Sequence, residues 1–577
     1  MTTTYLPDLS HRTPEPKWLP ADLPDRIEPA WVTARYGELL AAAETAGDDP
    51  AAWIELIHRT SEVEAFVGSH GSRCGIAYRQ QTDDTAATEE YQRWNREISP
   101  VLLDASVSLA RAIVAAPSAC RDAMAAEFGR QFIDLIESFC RSYAPINTAL
   151  RTELSDVTMR HTAIFGKGTI QWRGETHPFS YARKAALDTD REERHKAWGS
   201  KVAYVRNNEG ELQTIFDEAL ALRRKMADNL EMPSYTALRY AEMNRFDWTP
   251  EDAARVRGAI ERHLTPIATQ LQLRQAAALG TDKLHPADEE INPEPAPEMI
   301  VDIDGQLGAA TATFEAMGEE FGGPWKMLVE EGLIDLPARP GKGTGGFCSS
   351  FPFEKVPFIF CNSVGSPDDI KTLVHEYGHA LQGWRSRDIE PGDLQHPTME
   401  ACEIHSMTLE LLAQPHLGSF FGEDLDAFNL EHLRSTLVTV PYMAAIDELQ
   451  HRIYDEGLDA AARGAAWREA AERFQPAIDW DADAWYGNNR WLFQLHVFQY
   501  PFYYLDYALA RMVSWELWLD SLKDRDAAIE RYLALCSAGG TKPFRQLVRE
   551  AGLGDPFEES TLERTMARLR PHLKLDE

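Results

Sequence analysis

The stretch Ser366-Pro367-Asp368-Asp369-Ile370-Lys371-Thr372-Leu373-Val374-His375-Glu376-Tyr377-Gly378-His379-Ala380-Leu381 decides the reading of this chain. Ser366 suits an N-cap, Pro367 the first helical position and Asp369 the third, and together they predict a helix that begins at Pro367. Ile370, Leu373, Val374, Tyr377 and Leu381 recur every three or four residues, the spacing of a helix packed along one side. His375 and His379 therefore share a face and can reach one metal ion, and Glu376 lies within reach of the position where a catalytic metal keeps its water. The plain alternative is a pair of core histidines beside a solvated glutamate. An acid flanked by Val374 and Tyr377 argues against it, because an unpaired buried charge is costly.

A third ligand is expected on a second helix, between Thr398 and Leu412. Glu403 and Glu410 are two turns apart and share a face, so Glu403 can bind the metal while Glu410 accepts the second N–H of a ligand histidine. Glu400 is the runner-up ligand. Cys402 and His405 are chemically competent but lie off that face. Zinc is the expected metal, one ion per chain, although cobalt and manganese accept the same donors.

At this point the residues resemble the thimet oligopeptidase and oligoendopeptidase F family of zinc peptidases. The resemblance rests on His375-Glu376-x-Gly378-His379 followed by Glu403-x-x-Ser406-x-x-Leu409-Glu410. It extends to Asp335 with the glycine-rich Arg339 to Cys348 segment, to Pro357 to Asn362, and to His496-x-x-x-x-Pro501-Phe502-Tyr503-Tyr504-Leu505-Asp506-Tyr507. It covers about residues 206 to 520. Gln382, where the thimet branch commonly has another histidine, favours the oligoendopeptidase F branch. The resemblance implies two helical halves around a deep channel that admits short peptides and excludes folded proteins.

His496, Tyr500, Tyr504 and Tyr507 recur at four, four and three, as on one helical stripe. Pro501 would break a helix, so a helix starting at Pro501 with His496 on the preceding turn is expected. Such a stripe is commonly an aromatic core. Its imidazole and phenols are also suited to donating hydrogen bonds to a developing oxyanion. With the resemblance, His496 and Tyr507 are expected to contact the transition state and Tyr500, Tyr503 or Tyr504 to hold substrate. The run Val356 to Cys361 reads as a strand with Pro357 near its start, either an edge strand or a buried one. The resemblance implies an edge that pairs with an extended peptide, with Phe358, Gly345 and Gly346 near the substrate. Gly341, Gly343, Gly345 and Gly346 make the preceding loop pliable. Lys342 precedes the last glycines, so this is not a phosphate-binding loop.

Elsewhere helical periodicity dominates the 577 residues, and a mainly α protein with a small sheet beside the metal helix is expected. Residues 1–205 are expected to form an N-terminal helical region and residues 206–577 the catalytic domain. Thr249-Pro250-Glu251-Asp252 caps a long helix carrying Val256, Ile260, Leu264, Ile267 and Leu271 and ending near Gly280. Pro286, Pro293, Pro295 and Pro297 mark an extended linker. Strand-like alternation is confined to Thr344 to Asn362 and Thr169 to Trp172.

With 58 basic and 91 acidic residues the net charge is −33, which makes nucleic acid and anionic membranes poor partners. No stretch of 18 apolar residues and no signal-peptide core is present, and a cytoplasmic protein is expected. Seven scattered cysteines suit reduced thiols. The combined expectation is a zinc endopeptidase for oligopeptides with Glu376 as general base. A peptidyl dipeptidase of the angiotensin-converting type and an inactive zinc- or peptide-binding scaffold are the rivals. An open metal position beside Glu376 disfavours the scaffold, since a structural site has no use for that acid.

Overall fold

The computed structural model describes residues 6–292 and 297–575. These form a mainly helical protein with one two-stranded and one three-stranded sheet among the described residues. β1 (Thr169–Trp172) and β2 (Glu175–Pro178) make an antiparallel hairpin in the N-terminal half. The larger sheet has the order β3-β5-β4. β3 (Ile334–Pro337) runs parallel and β4 (Phe347–Phe351) antiparallel to the central β5 (Val356–Ser363).

The central place of β5 corrects the edge-strand expectation for Val356 to Cys361, and with it the expected substrate contact of Phe358, which is fully buried. An unbroken apolar run without alternation is the mark of a strand covered on both faces. Pro357 stands opposite Ser350 near the strand start, where the ladder can do without its N–H. The outer positions belong to β3 and β4, and Phe347 to Ser350 of β4 are half-buried.

The expected helix spans Pro367–Ser386. The Asp369 carboxylate accepts from the backbone N–H groups of Val364, Gly365 and Ser366 at 2.7–2.8 Å and from the Ser366 hydroxyl at 3.0 Å. Those bonds satisfy donors that a helix start would otherwise leave orphaned. Ile370, Leu373, Val374, Tyr377 and Leu381 are all buried, packed with Phe314, Trp325, Phe358 and Tyr532 in a core under the sheet. The second helix spans Met399–Leu412 and is buried nearly all round. Its inner residues Ile404 and Leu411 join a larger C-terminal core with the Leu425–Glu456 and Tyr504–Ser521 helices. The N-terminal helices enclose a third core around Tyr36, Leu56, Phe66 and Phe132.

Thr249 and Asp252 form the expected capping box, and the helix runs from Pro250 to Ala278 through a π-helical turn at Ile260–Leu264. Pro266, which has no N–H to give to the preceding turn, accounts for that turn. The expected linker is packed where it is described. Pro286, Ala287 and Asp288 are buried in a 3-10 turn and Pro297 is buried as well, whereas Pro293 and Pro295 lie outside the described residues. Residue 205, where two regions were expected to part, sits inside the helix Arg191–Asn207, and Leu150, Val157 and Val205 share the C-terminal core. No single helix among the described residues is long and apolar enough to cross a membrane.

Candidate active site

The Pro367–Ser386 and Met399–Leu412 helices meet backbone to backbone at Gly378. A Cβ there would lie 2.5 Å from Ser406 Cα and 2.8 Å from the His405 carbonyl oxygen, so only glycine permits the approach. The closeness brings three donor atoms together. His375 Nε2 is 3.3 Å from His379 Nε2 and 3.3 Å from Glu403 Oε2, and His379 Nε2 is 3.6 Å from the same oxygen. Tetrahedral ligands at zinc bond lengths of 2.0–2.1 Å stand about 3.3–3.4 Å apart, so the two imidazoles and the carboxylate fit such an ion.

Glu410 braces this triangle, as its spacing from Glu403 predicts. One oxygen accepts from His375 Nδ1 at 2.7 Å, which leaves the Nε2 lone pair facing the other donors. The other oxygen accepts from His432 Nε2 at 2.9 Å and from Arg511 at 3.1 Å. The Tyr503 hydroxyl donates to Glu403 Oε1 at 2.9 Å, and the Ser406 hydroxyl to Oε2 at 3.1 Å. Burial alone would raise the Glu403 carboxyl, but the two histidines outweigh it and hold the group well below the usual range. For Glu410, likewise, Arg511 and the His375 and His432 bonds overcome burial.

Glu376 is buried beside the triangle, and that burial raises its carboxyl pKa against the pull of both histidines. Gly346, just before β4, is the nearest wall. A Cβ there would meet Thr372 Cγ2 at 2.8 Å and Glu376 Oε1 at 3.3 Å. The loop that carries Gly345 and Gly346 is pinned from behind. Asn362 donates to the Gly343 and Gly345 carbonyls at 2.8 Å each, and the buried Lys342 ammonium binds Asp335 at 2.8 Å. Both glycines remain exposed.

The aromatic stripe is interrupted, as Pro501 implies, but by a turn between two helices, with His496 on a short helix rather than on a turn. His496 lies on Leu495–Gln499, and the next helix begins at Tyr504, three residues after the predicted Pro501. Between them Phe502 takes φ 65°, a strained value for a non-glycine residue, and the turn is clamped by buried cations. Arg223, Arg239 and Arg245 donate to the carbonyls of Phe498, Pro501 and Phe502 respectively. The tyrosines still converge on His496, with ring centroids 4.7 Å away for Tyr504, 6.1 Å for Tyr503 and Tyr507, and 6.2 Å for Tyr500. Tyr500 is the most open, at 49% exposure.

Gln494 escapes sequence reading. Its Oε1 accepts from the Tyr442 hydroxyl at 2.8 Å, so its amide N–H donates to His496 Nδ1, 2.6 Å away. His496 then carries its proton on Nε2, and burial keeps the ring neutral with a pKa drawn down to about 4. His432, Arg511 and Tyr442 are likewise invisible in the sequence, because no local spacing links them to the motif. Of the other ligand candidates, Glu400 accepts from Trp248 at 2.9 Å, Cys402 points to the Pro397 carbonyl and His405 faces Cys536. A second group, His195, His285 and Asp288, could also gather around an ion. There Asp288 already binds Arg191 and Arg194, which leaves little negative charge for a metal.

Comparison with known proteins agrees with this geometry. Residues 321–567 match the model of peptidase family M3, and residues 25–143 match the peptidase M3 N-terminal domain. The fold superposes on PZ peptidase A with inhibitor 2 at a TM-score of 0.89, with 28% identity over 96% of this chain and 98% of the other. It superposes on a chain provisionally labelled oligoendopeptidase F at 0.88, with 30% identity over 95% and 97%. Oligopeptidase PepF of Bacillus subtilis (strain 168) is 23% identical over 251 residues, which span 41% of this chain and only 36% of that relative. The chain belongs to peptidase family M3. Within it, the chain falls on the oligoendopeptidase F branch.

Proposed function

We propose that the protein is a zinc-dependent endopeptidase that cuts internal bonds of short peptides, with His375, His379 and Glu403 holding the ion. The observation that carries this reading is the triangle of His375 Nε2, His379 Nε2 and Glu403 Oε2, with edges of 3.3, 3.3 and 3.6 Å. A bound zinc ion would supply Lewis-acid polarisation and lower the pKa of water at its open position. Glu376, with a carboxyl raised by burial toward neutrality, takes a proton from the attacking water and returns it to the leaving amine. His496 Nε2–H and the Tyr507 hydroxyl donate to the oxygen that gains charge in the tetrahedral intermediate, each contributing about 3 kcal/mol. Tyr503 releases Glu403 to serve the same oxygen or the substrate, and Tyr500 and Tyr504 hold the peptide. Gly345 and Gly346 let its backbone approach Glu376. The seven unpaired cysteines support work in the reducing cytoplasm.

The test is cleavage of a quenched peptide blocked at both termini, by wild type and Glu376→Gln, with metal content measured in each. Internal cleavage by wild type and none by a variant that keeps its zinc is expected. Unchanged turnover in Glu376→Gln would remove the general base from the mechanism, and cleavage only of peptides with a free C-terminus would turn the reading to a peptidyl dipeptidase.

A further inference from the structure

A cavity of about 420 Å³ opens beside the N-terminal end of the Met399–Leu412 helix, between that end, the N-terminal helices and the turn at Asn244. Thr398, which precedes that helix, lines it. Thr398 stands five residues before Glu403, about 7–8 Å along the helix axis. Leu135, Ile136 and Phe139 make one wall apolar, while Glu64 and Asp393 face the same space. The lining contains no lysine or arginine, and its histidine, His396, is kept neutral by burial. Glu242, also on the wall, is already taken by Arg151 and Arg239.

Glu64 is half-buried, with the Tyr36 hydroxyl, 3.4 Å away, as its one hydrogen-bond partner among the described residues, and Asp393 is exposed. Neighbouring protein, and for Glu64 the Asp393 charge as well, raises both carboxyls. Two further polar groups on the lining point to a missing ligand. Gln131 is 4% exposed with neither amide atom partnered, and Thr398 is 8% exposed with its hydroxyl unpartnered among the described residues. Buried polar atoms rarely go without partners, and two neighbouring acids on a lining without lysine or arginine repel each other until a cation joins them.

We propose that this cavity is a specificity pocket for a lysine or arginine side chain of the peptide substrate, whose aliphatic stem lies on Leu135, Ile136 and Phe139 and whose cation binds Glu64 and Asp393. The Gln131 amide and Thr398 hydroxyl take the remaining hydrogen bonds. An extended peptide advances about 3.3–3.6 Å per residue, so a scan of three residues on each side of the cut bond covers about 10 Å in each direction. The proposal rests on the peptidase reading and names its substrate class.

The experiment uses peptides blocked at both termini, which removes the N-terminal ammonium as a competing cation. One lysine is moved through three positions on each side of the cut bond, and each peptide has a norleucine counterpart. Wild type is expected to prefer lysine by tenfold or more in kcat/KM at one position of that scan. Asp393→Asn and, separately, Glu64→Gln are expected to erase that preference, so that each variant cleaves the lysine and norleucine peptides with equal kcat/KM. No preference at any position, or one that survives both variants, overturns the proposal. Fluorescence anisotropy of the lysine and norleucine peptides on Glu376→Gln reads the pocket without turnover. Tenfold tighter binding of the lysine peptide supports it, and equal binding refutes it, even if the peptidase reading itself fails.

Discussion

Gly378→Ala tests whether helix spacing sets the metal site. The added Cβ would sit 2.5 Å from Ser406 Cα, where about 3.5–4.0 Å is normal, so the two helices must part by about 1 Å. The edges from the histidines to Glu403, now 3.3 and 3.6 Å, would widen by a similar amount. Metal–ligand bonds tolerate about 0.2 Å, so Glu403 can no longer bind the same ion as both histidines. Losing a ligand exceeds the effect of losing an outer partner, and zinc affinity is expected to fall at least a hundredfold. Overpacking should cost about 1–3 kcal/mol of stability as well. Gly383→Ala, on the same helix with nothing within 4 Å of a Cβ, is the control and should gain up to about 1 kcal/mol. Competition with a chromophoric chelator reads the affinity, and thermal melting with and without zinc reads stability. A Gly378→Ala protein that binds zinc within threefold of wild type would refute the reasoning.

Gln494→Glu would accept rather than donate at His496 Nδ1, moving the proton off Nε2. Steady-state kinetics should show kcat about a hundredfold lower with KM little changed, whereas a parallel rise in KM would argue against a role in the transition state. Gly346→Ala should press on Glu376 without touching the ligands, lowering kcat about ten- to a hundredfold while zinc content stays at wild type. His161 is 1% exposed and stacks on Phe498, and burial draws its pKa from 6.5 down to about 4. Between those values the unfolded chain binds a proton that the folded one refuses, so stability is full above pH 6.5 and declines as pH falls toward about 4, by about 3 kcal/mol. His161→Phe should flatten that decline in urea unfolding at pH 5 and 7, and an unchanged slope would show that other groups cause it.

The metal helix was legible because its determinants are local. A cap at Ser366 and Asp369, an apolar stripe and two histidines at i and i+4 all lie within twenty residues. The Glu403 and Glu410 pair was legible by its two-turn spacing. Reading stopped where contacts cross the chain. Gln494, His432 and Arg511 gain their meaning from partners on other helices, and no period marks them. The turn at Phe502 is held by three arginines far upstream, so the sequence shows the break near Pro501 but neither the short helix before it nor the later start of the next one. For the strand at Val356–Ser363 the residues leave edge and buried places open, and the edge place comes only from the resemblance. Burial on both faces was the stronger signal.

Glu410 joins three segments, accepting from His375, His432 and Arg511. During synthesis the chain offers His375, His379, Glu403 and Glu410 to the cell long before Arg511 exists. Until Arg511 is made, Glu410 lacks its permanent counter-charge and His375 lacks a fixed orientation. If the proposed zinc site is right, a ribosome-bound fragment that stops short of Arg511 would be a weak competitor for metal, and capture of the ion would belong to the last stage of the protein's manufacture.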